Sequence, residues 1–462
     1  MCRSARKTHF MKIGFVSLGC SKNQLDTEVM LHELLSAGHE ITPDETEADI
    51  VVINTCAFIE AAKKEAVDNI LDIAWLKEHK SLKGIIVTGC LAERYREEVL
   101  TEMPEVDAVL GVGSIHNIVR AVESVAARLA NPSLPKYASF EDKNTVKLGG
   151  DRVLTTPEFF SYLKVAEGCD NRCSYCAIPF IRGRYRSRPI EDLVAEAKDL
   201  SAVGVKELNV IAQDVTRYGK DLYGAYRLPE LLQKITQETE IPWIRLLYCY
   251  PDKITDELVA EIRDNDRILK YIDLPLQHIS DPVLRAMNRH GDSRMIREVI
   301  GKLRREIPGL TLRTTFIVGF PGETEADFEA LCRFVEETRF EHMGVFTFSP
   351  EEGTPAATMP GQIDEQLKID RRDILMKIQM QINAEENEKK IGRTVRVLTE
   401  DFDAVSETHY GRTAADAPDI DGKIYFKAPH RVAPGSLVDV KIEEAVDYDL
   451  VGRAVMKEKD HE

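Results

Sequence analysis

The sequence predicts an α/β protein in three parts: a doubly wound parallel sheet, an open partial barrel of six βα units, and a small C-terminal β-barrel. Three observations predict it. Short, largely apolar runs alternate with amphipathic helical stretches through residues 11–128, the pattern of parallel strands buried on both faces. The alternation stops over 129–154 and then recurs six times within 155–390. Beyond Gly392 the hydrophobic period drops to two and turn residues crowd together through 391–460.

In the first part, strands are expected at 11–18, 49–54 and 84–88, running out at Gly19-Cys20, Thr55-Cys56 and Gly89-Cys90, with a fourth at 108–110. Helices are expected at 24–36, 59–77 and 92–101, and a fourth from Ser114, read as its N-cap. Asn131-Pro132, Pro135 and Gly149-Gly150 mark 129–154 as an interdomain linker. The second part offers strands at 162–166, 207–211, 243–247, 271–274, 311–318 and 344–348, with helices at 190–202, 255–263 and 324–337 among them. Thr324 and Asp327 have the spacing of a capping box. Six units fall short of the eight that close a barrel, so the sheet stays open. A long polar helix at 362–390 leads to strands at 394–398 and 437–442.

The chain of 462 residues carries 61 Lys and Arg against 78 Asp and Glu, a net charge of −17. That balance disfavours attachment to nucleic acid through phosphates and favours basic partners. No apolar run is long enough for a membrane span, so no membrane association is expected. The basic start lacks the apolar stretch of a secretory signal, and either Met1 or Met11 can begin translation. Nine cysteines without such a signal fit a reducing, cytoplasmic setting.

Six of those cysteines form two sets of three. Cys169, Cys173 and Cys176 lie on one loop directly after a strand, as CxxxCxxC. Three thiolates can hold three irons of a four-iron cubane and leave the fourth iron open for chemistry. The alternative, a zinc loop, wants a fourth ligand that no nearby residue supplies at zinc-ribbon spacing. Cys20, Cys56 and Cys90 each follow one of the first three strands, and a doubly wound sheet gathers such positions on one rim. The alternative there is three buried core thiols. Cys249 and Cys332 read as packing residues, and Cys2 is left unassigned.

Around these cysteines the chain resembles the radical S-adenosylmethionine methylthiotransferase family. The resemblance runs from about Met11 to the C-terminus. It rests on residues 17–28 (SLGCSKNQLDTE), 54–65 (NTCAFIEAAKKE), 88–95 (TGCLAERY), 163–189 (LKVAEGCDNRCSYCAIPFIRGRYRSRP) and 319–328 (GFPGETEADF). It implies a methylthiotransferase N-terminal domain at 11–128, a radical SAM core at 155–390 and a TRAM-like barrel at 391–460. It also implies two 4Fe–4S clusters. One, on Cys169, Cys173 and Cys176, binds S-adenosylmethionine and cleaves it reductively to a 5′-deoxyadenosyl radical. The other, on Cys20, Cys56 and Cys90, presents sulfur, and a second S-adenosylmethionine supplies the methyl group. Tyr175 matches the family's adenine-stacking aromatic, while Gln213 and Gly319 stand after strands where the cofactor should sit. No catalytic residue is assigned beyond the cluster ligands. An electron donor such as flavodoxin or ferredoxin, and a sulfur-delivery partner, are implied as well.

Two branches of the family are open. One modifies an adenosine in tRNA; the other modifies the β-carbon of an aspartate in ribosomal small-subunit protein twelve. Residues 393–462 hold 15 Asp and Glu against 10 Lys and Arg, and the loop 412–422 brings Asp416, Asp419 and Asp421 together. An acidic loop suits a basic ribosomal protein better than tRNA. Residues 163–167, 271–280 and 348–354 resemble the ribosomal-protein branch too. Arg182, Arg184, Arg186 and Arg188 could hold a cofactor carboxylate, phosphate or nearby acids, with intramolecular pairing expected for most. A reading of another class is a non-catalytic iron–sulfur protein for electron transfer or sensing.

Overall fold

The computed structural model describes residues 10–455, so Met1 and Cys2 lie outside the described residues. Two compact units emerge. The first takes the chain up to Thr155 together with Ala166–Arg186 and Glu351–Ala357; the second takes Thr156–Val165, Ser187–Pro350 and the chain from Thr358. None of the described helices is long and apolar enough to cross a membrane.

The first unit is built on six parallel strands: β1 (Lys12–Ser17), β2 (Glu40–Thr42), β3 (Ile50–Thr55), β4 (Gly84–Gly89), β5 (Ala108–Leu110) and β6 (Tyr137–Ser139). Their order is β2-β1-β3-β4-β5-β6. Every residue of β3 and β4 is buried, because helices cover both faces. Val51, Ile53, Ile85 and Val87 face Ala66 and Ile70 of the helix Glu60–His79. Ile50, Val52 and Ile86 face Met30, Leu34 and Val122 on the opposite side. Period-two alternation of contacts along a continuous apolar run is what two helical layers require. Strand order reverses between β1 and β3, the switch point at which such sheets bind ligands.

Three local expectations give way here. The helix expected at 92–101 is two helices, Cys90–Tyr95 and Glu98–Glu102, broken where Arg96 turns to a φ of 48°. Ser114 caps no helix; its Oγ accepts the Glu141 N–H at 2.8 Å, and the helix proper is Ile118–Ala130. The segment read as a linker supplies β6, an edge strand of three residues too short to register as a period. Its end is tied down as well. The Thr155 N–H and hydroxyl donate to Glu28 Oε1 at 2.8 and 2.9 Å, and Arg152 pairs with the other oxygen of that buried carboxylate.

The second unit holds β7 (Phe160–Lys164), β8 (Glu207–Ile211), β9 (Trp243–Leu246), β10 (Ile268–Asp273), β11 (Thr311–Val318) and β12 (His342–Thr347). These pair in sequential order as an open, all-parallel sheet, the partial barrel expected. Thr324 and Asp327 form the anticipated capping box on the helix Glu325–Thr338. The long helix Glu365–Glu388 is capped by Asp364. Beyond it, β13 (Thr394–Asp403), β14 (Thr408–Thr413), β15 (Ile424–Lys427), β16 (Leu437–Val446) and β17 (Asp449–Ala454) close into a barrel around Val397, Ile424, Phe426, Val440 and Ile442.

The acidic loop 412–422 does not present its charges outward as expected. Asp419 is exposed, but Asp416 and Asp421 turn inward. Tyr271 donates to Asp421 Oδ2 at 2.7 Å, and Arg313 Nε lies 3.4 Å from its Oδ1. His342 lies between the two carboxylates, 3.4 Å from Asp416 and 3.5 Å from Asp421. Beside them Glu207, fully buried, is shared by Arg245 at 2.7 Å and Arg412 at 2.6 Å. Charges taken out of water need partners, and β8 to β12 supply them for this loop.

Burial pulls the His342 imidazolium down, but Asp421 and Asp416 outweigh it and hold the group above its ordinary 6.5. Burial likewise opposes the Asp416 carboxylate, which His342 nevertheless draws down to about 2. A raised His contributes in full below pH 6.5 and loses that contribution as pH rises through its folded value. A lowered Asp contributes above pH 3.8 and loses it as pH falls toward 2. Hydrogen-exchange protection of 412–422 should therefore be greatest between about pH 4 and 6.5 and decline as pH rises above that window. His342→Gln should flatten the alkaline limb; a limb unchanged in that variant would contradict the assignment.

Candidate metal centres

The first cysteine triad is assembled by sheet register. Ser17 pairs with Asn54, and Asn54 and Thr55 pair with Thr88 and Gly89, so β1, β3 and β4 end level. Cys20, Cys56 and Cys90 follow at that rim. Cys20 is exposed; Cys56 and Cys90 are buried. Gly19 and Gly89 both adopt a φ of 91°. A Cβ on Gly19 would stand 2.8 Å from Cys56 Cβ, and one on Gly89 would stand 2.5 Å from the Thr55 carbonyl oxygen. Only glycine allows both the turn and the approach.

Asn23 ties the rim together. Its Nδ2 donates to the carbonyls of Leu18 at 3.0 Å and Thr55 at 2.8 Å, while its Oδ1 lies 3.6 Å from Cys90 Sγ. Asn54 Nδ2 returns bonds to Asn23 O at 2.7 Å and Thr27 Oγ1 at 2.9 Å. Burial pushes the Cys90 thiol up to about 12, against the pull of the Arg182 guanidinium. Burial also raises the Cys56 thiol, with Cys20 adding to the rise. Such thiols keep their protons until a metal displaces them.

The second triad lies on the loop that follows Gly168, whose φ is 78° and whose Cβ would collide with the Arg184 and Gly183 carbonyls. Cys169 N–H donates to Gly183 O at 3.1 Å, and Cys176 N–H to Cys173 O at 3.0 Å. Cys173 is buried; Cys169 and Cys176 are half-buried. Ser174 O accepts the Ala356 N–H at 2.9 Å. Glu351, whose side chain is 2% exposed, anchors that neighbouring segment through Arg94 at 2.9 Å and Lys63 at 3.2 Å. Both triads thus belong to the first unit. Among the described residues no three His, Cys, Asp or Glu converge as ligands of one metal ion. A cubane is a different demand, since each thiolate bonds a separate iron.

Tyr175 is half-buried in the turn before Cys176. Gln213, half-buried, stands two residues past β8, and Gly319 directly follows β11. Gly319 has a φ of 73°, its N–H donates to Glu323 Oε2 at 2.6 Å, and a Cβ there would strike the Lys368 side chain. Its glycine therefore has a packing reason, and only its carbonyl is left to offer. Of the four arginines, Arg182 is buried against Asp26 and Glu167, and Arg186 donates to the Val146 carbonyl at 2.6 Å. Arg188 pairs with Glu196 at 2.7 Å; Arg184 is the exposed one. Burial raises the Cys249 thiol strongly and the Cys332 thiol to about 11, as packing residues behave. Asn23, Asp26 and Glu167 escaped the sequence reading. Asn23 and Asp26 follow Cys20 at a helical interval of three, the one local signal that they share its face.

Comparison with known proteins follows this division. Residues 12–111 match the model of Uncharacterized protein family UPF0004, 163–335 that of the Radical SAM superfamily and 391–455 that of the TRAM domain. A solved structure of the radical S-adenosylmethionine methyltransferase TsrM from Kitasatospora setae superposes with a TM-score of 0.54 at 14% identity. It covers 75% of this chain and 74% of that one, a likeness of fold. The chain is thus a three-module radical SAM protein. Proteins named ribosomal protein uS12 methylthiotransferase RimO are 49% identical in Thermoanaerobacter sp. (strain X514) and 50% in Caldanaerobacter subterraneus subsp. tengcongensis, each over 95% of this chain and 99% of its own. That of Pelobacter propionicus is 49% identical over 96% and 98%. The chain belongs to the uS12 methylthiotransferase family.

The glycine turns make a direct test of the first rim. Gly89→Ala forces both a disfavoured φ and a clash with fixed backbone, and should cost about 1–3 kcal/mol in urea unfolding. Gly38→Ala, with a φ of 89° but nothing within 4 Å, should lose only the backbone share, about 1 kcal/mol. Equal losses would show that the rim is not tightly packed.

Proposed function

We propose that this chain transfers a methylthio group to the β-carbon of an aspartate in ribosomal protein uS12, in the cytoplasm, using S-adenosylmethionine and two 4Fe–4S clusters. One observation carries the reading: identities of 45–50% to proteins named for that activity, over 95–96% of this chain and 98–100% of theirs.

Cys169, Cys173 and Cys176 would hold one cluster, and Cys20, Cys56 and Cys90 the other. The donor sets suit them. Each is three soft thiols on a rim or loop whose glycines leave no room for a Cβ, and each leaves one iron of a cubane without a protein ligand. When bound, the cluster on Cys169, Cys173 and Cys176 would supply an electron to S-adenosylmethionine and that on Cys20, Cys56 and Cys90 would supply sulfur.

The rest falls to the chain. Cys56 and Cys90 release buried protons as they ligate, so loading is favoured by rising pH. Arg182 Nη2 offers Cys90 an N–H that remains available once the thiol proton is gone. Tyr175, beside Cys176, would offer its ring to the adenine, and Gln213 and Gly319, after β8 and β11, would offer polar groups to the cofactor. The net charge of −17 steers a basic ribosomal protein inward, with Asp419 the exposed acid of the loop 412–422. An electron donor of the flavodoxin or ferredoxin type and a sulfur-delivery partner complete the requirement.

In cells lacking this protein, mass spectrometry of uS12 should show a species about 46 Da lighter than in cells that have it, the mass of one SCH₂ unit. A difference confined to tRNA nucleosides would replace the substrate. Cys90→Ala should abolish methylthiolation of uS12 and leave 5′-deoxyadenosine formation measurable. Intact wild-type protein that forms no 5′-deoxyadenosine under reductant would point instead to electron transfer or sensing.

A further inference from the structure

Arg182 ends the short helix Ile178–Arg182, six residues past Cys176, and is 3% exposed. Its guanidinium divides between two sets of partners. Nη2 lies 3.6 Å from Cys90 Sγ and also donates to Asn23 Oδ1. Nη1 donates to Asp26 Oδ2 at 2.6 Å and reaches Glu167 Oε2 at 3.3 Å. Glu167 in turn stands two residues before Cys169. One buried cation therefore touches a member of the first triad while being carried by the segment that bears the second.

We propose that Arg182 is a positioning residue that tunes the reduction potential of the cluster held by Cys20, Cys56 and Cys90, through a charge-assisted hydrogen bond to the Cys90 thiolate. This rests on the reading that those three cysteines carry a cluster. Reduction adds one electron and one negative charge to the iron–sulfur core. An N–H donor on a ligand sulfur, with full positive charge behind it, stabilises that extra charge. Asp26 and Glu167 act in the opposite sense, and Arg182 also neutralises them. Arg182, Cys90, Asp26 and Glu167 are all buried, so neither effect is screened away. The planar fork matters because two directions must be served at once, which a lysine point charge cannot do.

The test uses the full chain with Cys169, Cys173 and Cys176 all changed to Ala, reconstituted anaerobically with iron and sulfide. One electron per cluster is delivered by dithionite and followed by electron paramagnetic resonance. Arg182→Gln should keep its iron but titrate at more negative potential, with the reduced-to-oxidised ratio at fixed poise falling about tenfold, the size of one charge-assisted hydrogen bond. Glu167→Gln should move the midpoint the other way, and Arg182→Lys should fall between wild type and Arg182→Gln. A purely structural role would give no such reversal of sign. An iron-loaded Arg182→Gln with the parent midpoint overturns the proposal. If that variant takes up no iron, Arg182→Lys decides: a midpoint more negative than the parent's supports the proposal and an unmoved midpoint overturns it. Absence of iron from the parent itself overturns the cluster reading instead.

Discussion

A guanidinium shut away from water must be matched by carboxylates, and Arg182 is the place where this chain meets that condition. Asp26 comes from the helix after β1, Glu167 from the segment ahead of the cysteine loop, and Cys90 and Asn23 complete the shell. Removing one member of a buried charge pair costs about 3–5 kcal/mol, because the other is left uncompensated. Three stretches distant in sequence, at residues 23–26, 90 and 167–182, are bound to one another by this requirement. The short helix that carries Arg182 is the continuation of the second triad's loop, and its Ile181, with Ala177 before it, also packs into the apolar core of the first unit.

A second buried charge network performs the same task elsewhere. Glu207 of β8 is held between Arg245 of β9 and Arg412 of β14, and Tyr271, Arg313 and His342 receive the two inward aspartates. The C-terminal barrel is therefore joined to the parallel sheet by ionic and hydrogen-bonded contacts. Such contacts are directional, and their loss leaves charges stranded in a way that an apolar contact would not.

Much of this was legible beforehand. The strands at Glu207–Ile211 and Thr311–Val318, the helix Ile190–Ala202 and the capping box at Thr324 were readable because apolar period and local side-chain chemistry determine them. The first triad was readable because parallel sheets put strand ends on one rim. What escaped depends on partners far along the chain. Asp416 and Asp421 look like solvated turn formers until Tyr271, 150 residues away, is seen to donate to Asp421. Arg182 looked like one of a run of four basic residues until Asp26, 156 residues earlier, was found beside it. The strand Tyr137–Ser139 was hidden for a simpler reason, being three residues at a sheet edge among turn formers.

The segment Glu351–Ala357 belongs to the first unit although the chain on either side of it belongs to the second. Its anchors, Glu351 on Arg94 and Lys63 and Ala356 on Ser174, reach back across more than 170 residues. A chain emerging from the ribosome can pair β1 to β6 early, but its first unit lacks its last piece until residue 357 has been synthesised. The part that holds all six cysteines is therefore begun first but completed only after all six strands of the second unit's parallel sheet have been made. A fragment cut after Thr155 would retain Cys20, Cys56 and Cys90 yet lose the arginine that reaches the last of them.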